Sequence, residues 1–317
     1  MINFSDVKIL VTGGNGSIGC NLVRKLLTQG AKVTVIDDFS QSNRGNLPHH
    51  NNLKVFKADI TNERILSKVL ATKFDYIFHL AARFANELSI KDPTEDLRVN
   101  AQGTLQILVH AAKQKPERLL YASSSSIYGI QESANLKEDM IPHPSTPYAV
   151  SKLIGEHYCH AIHELYGVQY SIVRLSNSYG PFDPPGKYRN VIPNFFKAAH
   201  DGKNLVITGN GNETRDFTYV DDCVNGIILA ATKINGKNQI FNLGTGKETQ
   251  IRKVAQFILD LTKNKSKIVF KPMRSFDHVK RRRMDIKKAR SMIGYKPIVD
   301  IEKGLEKTYF WFLNKNR

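Results

Sequence analysis

The sequence predicts an α/β fold, a doubly wound parallel sheet followed by a smaller mixed lobe. Three observations predict it. Short apolar runs rich in β-branched residues alternate with helical stretches over residues 8–175, the pattern of parallel strands joined by right-handed crossovers. A glycine-rich turn stands between the first strand and the first helix. Beyond Gly180 the rhythm breaks into shorter, less regular elements. Residues 1–175 therefore read as the sheet domain and 176–317 as a second lobe, with some exchange of chain between them.

The first strand spans residues 8–11, and Thr12-Gly13-Gly14-Asn15-Gly16-Ser17-Ile18-Gly19 follows it directly. These glycines fit G-x-x-G-x-x-G from Gly13 and G-x-G-x-x-G from Gly14. Either spacing allows a tight turn and a close backbone approach to a pyrophosphate at a helix N-terminus. The helix, residues 18–29, buries Leu22, Val23, Leu26 and Leu27. A second strand, residues 32–36, ends at Asp37-Asp38, and an acid at that place grips an adenosine ribose. Strand, glycines, helix, strand and acid in this order make a Rossmann-type nucleotide-binding half.

A third strand, residues 53–58, ends in Asp59-Ile60, and a fourth, residues 74–80, ends in His79-Leu80 with Ala81-Ala82 after it. A long helix over 93–113 carries Asn100 in its middle. The fifth strand, 117–122, runs into Ser123-Ser124-Ser125-Ser126, and the sixth, 169–175, runs into Ser176-Asn177-Ser178-Tyr179-Gly180. Each of these motifs lies just beyond a strand's carboxyl end or on the next helix, where open α/β sheets bind ligands. In the second lobe we read helices over 192–201, 220–232, 251–262 and 301–313, a strand over 204–208, and a strand-like piece opened by Arg215-Asp216-Phe217.

Composition narrows the class. Apolar content of 41% supports a sizeable core, and no apolar run is long enough to span a bilayer. Residues 1–6 are too short for a signal peptide, and Cys20, Cys159 and Cys223 form no C-x-x-C pair, so a cytoplasmic protein with no zinc site or disulfide framework is expected. The net charge of +17 suits an anionic substrate, a nucleic acid or an acidic surface. Its densest run, Lys280-Arg281-Arg282-Arg283, lacks aromatic interleaving and any recognisable binding module, so no nucleic-acid role is assigned. A solvated face, or help with a phosphorylated ligand, accounts for it.

The chemistry centres on residues 123–152. Pro147 suits the first turn of a helix, and Tyr148 and Lys152 at i and i+4 share one face of it. A free phenol, with a pKa of about 10, is a poor base; a fixed cation beside it favours the phenolate. A serine from a neighbouring strand end shares a substrate hydroxyl with that phenol. His157, His160 and His163 lie on the same helix, but no carboxylate or cysteine joins them, so no metal is expected.

Taken together, TGGNGSIG near the start, ASSSSIYG ending at Gly129, YAVSK from Tyr148 to Lys152, RDFTYVDD ending at Asp222 and the closing Gly294-Tyr295-Lys296-Pro297 resemble an extended short-chain dehydrogenase/reductase of the nucleotide-sugar epimerase/dehydratase family. The resemblance covers essentially the whole chain. It implies a tightly held, recycled NAD that takes a hydride from the sugar and later returns it. Tyr148 is then the base at the C4 hydroxyl, Ser124 its partner, and Lys152 the residue that holds the nicotinamide ribose and lowers the phenol's pKa. Gly13, Gly16, Ser17, Ile18, Gly19, Asp37, Asp38, Asp59, Ile60, Leu80, Ala81, Ala82 and Asn100 complete the cofactor site. Asp37 and Asp38 disfavour a 2′-phosphate and so favour NAD over NADP; Arg44 would argue the other way, but as a loop arginine it reads equally as a solvated charge. Arg83, Ser125, Ser126, Asn177, Asn190, Val191, Val206, Ile207, Arg215, Arg274 and Asp277 face the nucleotide sugar.

The same resemblance implies a homodimer through the Tyr148 helix and the 93–113 helix, with the histidines at or near that interface. Dehydratases of the family carry Asp and Glu after the catalytic residue, and decarboxylases commonly carry Glu at the second of these positions; this chain has Ser125 and Ser126. A 4-epimerase of a UDP-hexose, UDP-N-acetylhexosamine or UDP-glucuronate is the favoured expectation. A dehydratase, decarboxylase or keto-sugar reductase, and a non-catalytic nucleotide-binding relative, remain alternatives.

Overall fold

The computed structural model describes residues 3–41, 45–263, 265–277 and 279–315. Seven parallel strands form the central sheet, in the spatial order Gln239–Leu243, Tyr170–Leu175, Arg118–Ser124, Tyr76–His79, Lys8–Thr12, Lys32–Asp37, Leu53–Lys57. Every neighbouring pair is parallel, so each crossover returns over a face of the sheet and buries strands such as Tyr170–Leu175 along their full length. The order reverses between Lys8–Thr12 and Tyr76–His79, which opens a crevice at their carboxyl ends.

Local sequence accounts for most of these elements. Helix Ser17–Thr28 buries Leu22, Val23, Leu26 and Leu27, the stripe its spacing predicts. The Tyr148 helix, Pro147–Tyr166, starts with the Thr146 hydroxyl accepting from the Ala149 amide at 3.3 Å and stops at Gly167 in the left-handed region. The predicted long helix is interrupted: Pro93–Leu97 and Gly103–Gln114 are joined by a π turn, Arg98–Gln102. The wider turn holds Asn100, whose amide donates to Asp96 Oδ2 at 3.0 Å and Ser151 Oγ at 3.3 Å.

Two short helices, Glu63–Val69 and Asn86–Lys91, and the edge strand Gln239–Leu243 are additions to the sequence reading. That strand belongs to the central sheet although it lies beyond residue 175. The smaller lobe gathers short pairs, among them Leu205–Thr208 with Ile268–Lys271 and Phe217–Tyr219 with Asn177–Tyr179. Among the described residues no helix is long and apolar enough to cross a membrane.

Candidate active site

A cleft of about 910 Å³ runs along the carboxyl ends of the strands, between the sheet and the smaller lobe. Its first wall is the glycine turn. Gly13 has φ +69°, and a Cβ there would stand 2.6 Å from the Ala81 amide nitrogen; one on Gly19 would stand 2.1 Å from the Gly13 carbonyl oxygen. Only bare backbone fits, and it leaves the space a dinucleotide's pyrophosphate needs.

Beside this cradle, Asp37 is buried, with Oδ2 accepting from the Asn15 amide and Oδ1 from the Phe39 amide, both at 2.8 Å. Burial pushes its carboxyl up in pKa despite those donors. The two amides fix the carboxylate at the strand end, where a ribose hydroxyl would donate to it. Burial also pushes Asp59 up, but hydrogen bonds from Arg98 (2.7 Å) and Thr61 outweigh it and hold the group below its ordinary value. Asp38 lines the same wall, so the ribose end is doubly acidic. These residues fit NAD. Gly16, Ser17, Ile18, Ile60, Leu80, Ala81 and Ala82 also line the cleft. Asn100 sits one layer behind it, where its Oδ1 accepts from the Arg83 amide at 2.7 Å. Arg44 lies outside the described residues.

Tyr148, Lys152 and Ser124 meet in the middle of the cleft. Lys152 is buried; its ammonium donates to the Ala122 carbonyl at 2.8 Å and sits 5.0 Å over the Tyr121 ring. Burial pulls Lys152 down to about 8, against the carboxylate of Asp96. Burial likewise raises the Tyr148 phenol well above its ordinary value; a hydrogen bond with Ser124 opposes the rise, and Asp96 adds to it. The Phe84 ring packs edge-on against Tyr148 at 6.2 Å.

The serines divide their work. Ser123 points back, donating to the Glu156 carboxylate, which is itself paired with buried Arg174 at 2.8 Å. Ser124 Oγ accepts from the Ser126 amide and meets Ser126 Oγ, both at 3.1 Å, and Ser125 is buried beside them. Toward the smaller lobe, Asn177, Asn190, Val191, Val206 and Ile207 line the wall. Arg215 donates to the Val279 carbonyl at 2.9 Å and pairs with Asp277 at 3.1 Å. Arg83 pairs with Asp92 at 3.4 Å and Glu95 at 3.8 Å, and Arg274 reaches Glu87 at 3.1 Å.

Among the wall residues that sequence reasoning missed are Arg282 and Asp183. Arg282 lines the cleft beside Arg215, with a buried Nε that makes no hydrogen bond; burial and Arg215 pull its pKa down to about 10. The basic run was the available signal, and one member of it turns inward. Asp183 lies in the Pro-rich loop after Gly180, buried, with Oδ2 accepting from the Asn190 amide at 3.3 Å. Of the helix histidines, His157 and His160 are exposed, while His163 bonds to Val168 and Asn238. Among the described residues no cluster of potential ligands could hold a metal ion.

Comparison with known proteins decides the family. The NAD dependent epimerase/dehydratase family matches residues 9–244. The chain belongs to this family. It is 34% identical to a UDP-glucose 4-epimerase of Mycolicibacterium smegmatis, over 98% of this chain and 100% of that protein. It is also 34% identical to a UDP-N-acetyl-alpha-D-glucosaminuronate decarboxylase of Bacillus cytotoxicus, over 96% and 97%.

Among solved structures, an epimerase of Methanothermobacter thermautotrophicus superposes with TM-score 0.97 at 40% identity, covering 98% of this chain and 94% of the other. A Thermotoga maritima UDP-glucose 4-epimerase solved with UDP-glucose gives 0.94 at 32%, covering 98% and 100%. A Bacillus cereus UDP-glucuronic acid 4-epimerase solved with UDP-glucuronic acid and NAD gives 0.89 at 31%, covering 98% and 100%. This epimerase/dehydratase-family enzyme is therefore NAD-dependent and has the Rossmann-type sheet its sequence predicts.

Proposed function

We propose that this family member is a 4-epimerase of a UDP-activated sugar. One observation carries the reading: the residues around the reacting centre are Ser124, Ser125, Ser126 and Tyr148, with hydroxyls where elimination or decarboxylation needs a carboxylate. Of the nearby acids, Glu87 is paired with Arg274 and Glu95 with Arg98, while Asp183 accepts from the Asn190 amide. Epimerisation needs only a proton shuttle and room for a ketone to turn. Tyr148 takes the proton of the C4 hydroxyl and later returns it, Ser124 holds that oxygen in place, and Lys152 orients the cofactor ribose. NAD, when bound, accepts the hydride and gives it back. Arg215, Arg274 and Arg282 suit the diphosphate, because each fork offers paired donors to phosphate oxygens.

Two broader features complete the proposal. Exposed Leu97 and Val150, on the 93–97 helix and the Tyr148 helix, border one apolar recess and support pairing of two chains there. Cys20, Cys159 and Cys223 are free and buried, which supports a reducing cytoplasmic setting.

The test is product analysis after incubating pure protein, without added NAD, with UDP-sugars. A new isomer of unchanged mass is expected. Loss of carbon dioxide, as the resemblance to the decarboxylase allows, or loss of water would overturn the reading and show that the serines are not what decides the reaction.

A further inference from the structure

One buried charge takes no part in the chemistry described so far. Asp96, on the short helix Pro93–Leu97, is completely buried and stands off the cleft wall, behind the helix that carries Tyr148 and Lys152. Ser151, the residue before Lys152, donates to Asp96 Oδ1 at 2.6 Å and lies 3.0 Å from the Tyr148 carbonyl oxygen. The Asn100 amide donates to Asp96 Oδ2 at 3.0 Å, and Asn100 Oδ1 accepts from the Arg83 amide at 2.7 Å. One carboxylate therefore ties the Tyr148 helix to the segment that leaves the fourth strand. Its hydrogen bonds come from neutral groups, and Arg83, whose charge also acts on it, is paired with Asp92 and Glu95. Lys152 is the converse, an ammonium buried against a carbonyl. Either charge left alone in a dry interior is costly. The other groups facing the lysine do not supply its counter-charge. Glu156 is matched by Arg174 at 2.8 Å. Burial keeps the Cys159 thiol and the Tyr121 and Tyr148 phenols neutral, and burial with the Lys152 charge holds His79 down to about 3. The Asp96 carboxylate remains, and its field supports the lysine's charge against burial.

We infer that Asp96 is a positioning residue for the reaction: through Ser151 it fixes the turn that presents Tyr148 and Lys152, and its buried charge balances the Lys152 ammonium. This rests on the roles proposed above for Tyr148 and Lys152. The placement has a chemical reason. A counter-charge inside the cleft would compete with Tyr148 for the substrate's proton and would repel a nucleotide diphosphate. Set behind the helix, the carboxylate acts on Lys152 through space and leaves the reacting centre to the hydroxyls of Ser124, Ser126 and Tyr148. The two neutral donors hold it at one distance from the lysine, so its effect is the same in every turnover.

The experiment reads the lysine directly in the enzyme as purified. With lysines carbon-13 labelled at Cε, the resonance missing from Lys152→Met is followed by NMR as pH is varied. Asp96→Asn is expected to lower its midpoint by about one pH unit or more, because removing a nearby opposite charge disfavours the ammonium. The same variant is expected to lower kcat for a UDP-sugar by about tenfold or more with KM nearly unchanged, since Asp96 does not reach the sugar. Ser151→Ala keeps the charge and cuts the tie, so it should lower kcat and leave the midpoint in place. A midpoint that Asp96→Asn does not move overturns the inference, whatever happens to kcat. Should that variant not fold, carboxyl labelling of the wild type decides. An Asp96 carboxyl still protonated at pH 7 overturns the inference, and an ionised one whose shift follows the loss of the Lys152 proton supports it. If no sugar turns over in the wild type, the epimerase reading fails, and the two titrations still decide whether Asp96 balances Lys152.

Discussion

At the scale of single residues, the enzyme places the groups proposed to be catalytic where they are costly to keep. Lys152 is buried with its charge, and its pKa falls to about 8 against an unfolded value of about 10.4. Between those values the unfolded chain binds more protons than the folded one, so stability rises with pH through about 8 to 10.4 and is penalised in full below about 8. Lys152→Met is therefore expected to stabilise the fold by about 1–3 kcal/mol at pH 7 while lowering kcat by about 10²–10⁴-fold. The melting-temperature gap to wild type should close as pH approaches 10.4. A variant that melts lower than wild type at pH 7 would show that the Ala122 hydrogen bond outweighs the burial penalty. That Tyr148, Lys152 and Ser124 line one cleft was legible because each stands at a fixed offset from a strand end or helix start. Arg282 and Asp183 were not, because their loops carry no periodicity to say which side chains turn inward.

Elements were legible in proportion to how local their causes are. Helix Pro147–Tyr166 has its proline, its threonine cap and its terminal glycine written in sequence, and its bounds match the structure. Among the described residues strand Gln239–Leu243 pairs with one neighbour, Tyr170–Leu175, and glycines on both flanks make it read as loop; a contact far along the chain creates it. The π turn Arg98–Gln102 is of the same kind, held by bonds from Asn100 to Asp96 and Ser151 rather than by any helix breaker. The pairing of chains proposed for the 93–97 and Tyr148 helices belongs at this scale. Leu97 and Val150 are 52% and 42% exposed on one apolar recess that also includes Pro93 and Pro144. Light scattering on the eluting protein should give the mass of two chains, and Leu97→Glu with Val150→Glu should reduce it to one at micromolar concentration. A wild-type protein that elutes with the mass of one chain removes the proposal.

Across the whole molecule, the net charge of +17 and the cleft act on the same ligand at different distances. Inside the cleft, Arg215 and Arg282 are shielded from water, and salt would weaken the hold on a diphosphate proposed for them only slightly. The remaining lysines and arginines are largely exposed, and their summed field reaches an approaching anion over a Debye length, about 30 Å at 0.01 M salt and about 10 Å at 0.1 M. These two ranges separate in kinetics. Capture depends on the long-range field, whereas the proton and hydride steps occur after the ligand is enclosed. Raising salt from about 0.01 M to about 0.3 M should therefore lower kcat/KM for a UDP-sugar several-fold and leave kcat nearly constant. A kcat that falls in parallel would mean that salt reaches the chemistry at Tyr148. A kcat/KM that does not move would mean that the surface charge plays no part in capture, and that the paired arginines of the cleft alone bring the anion in.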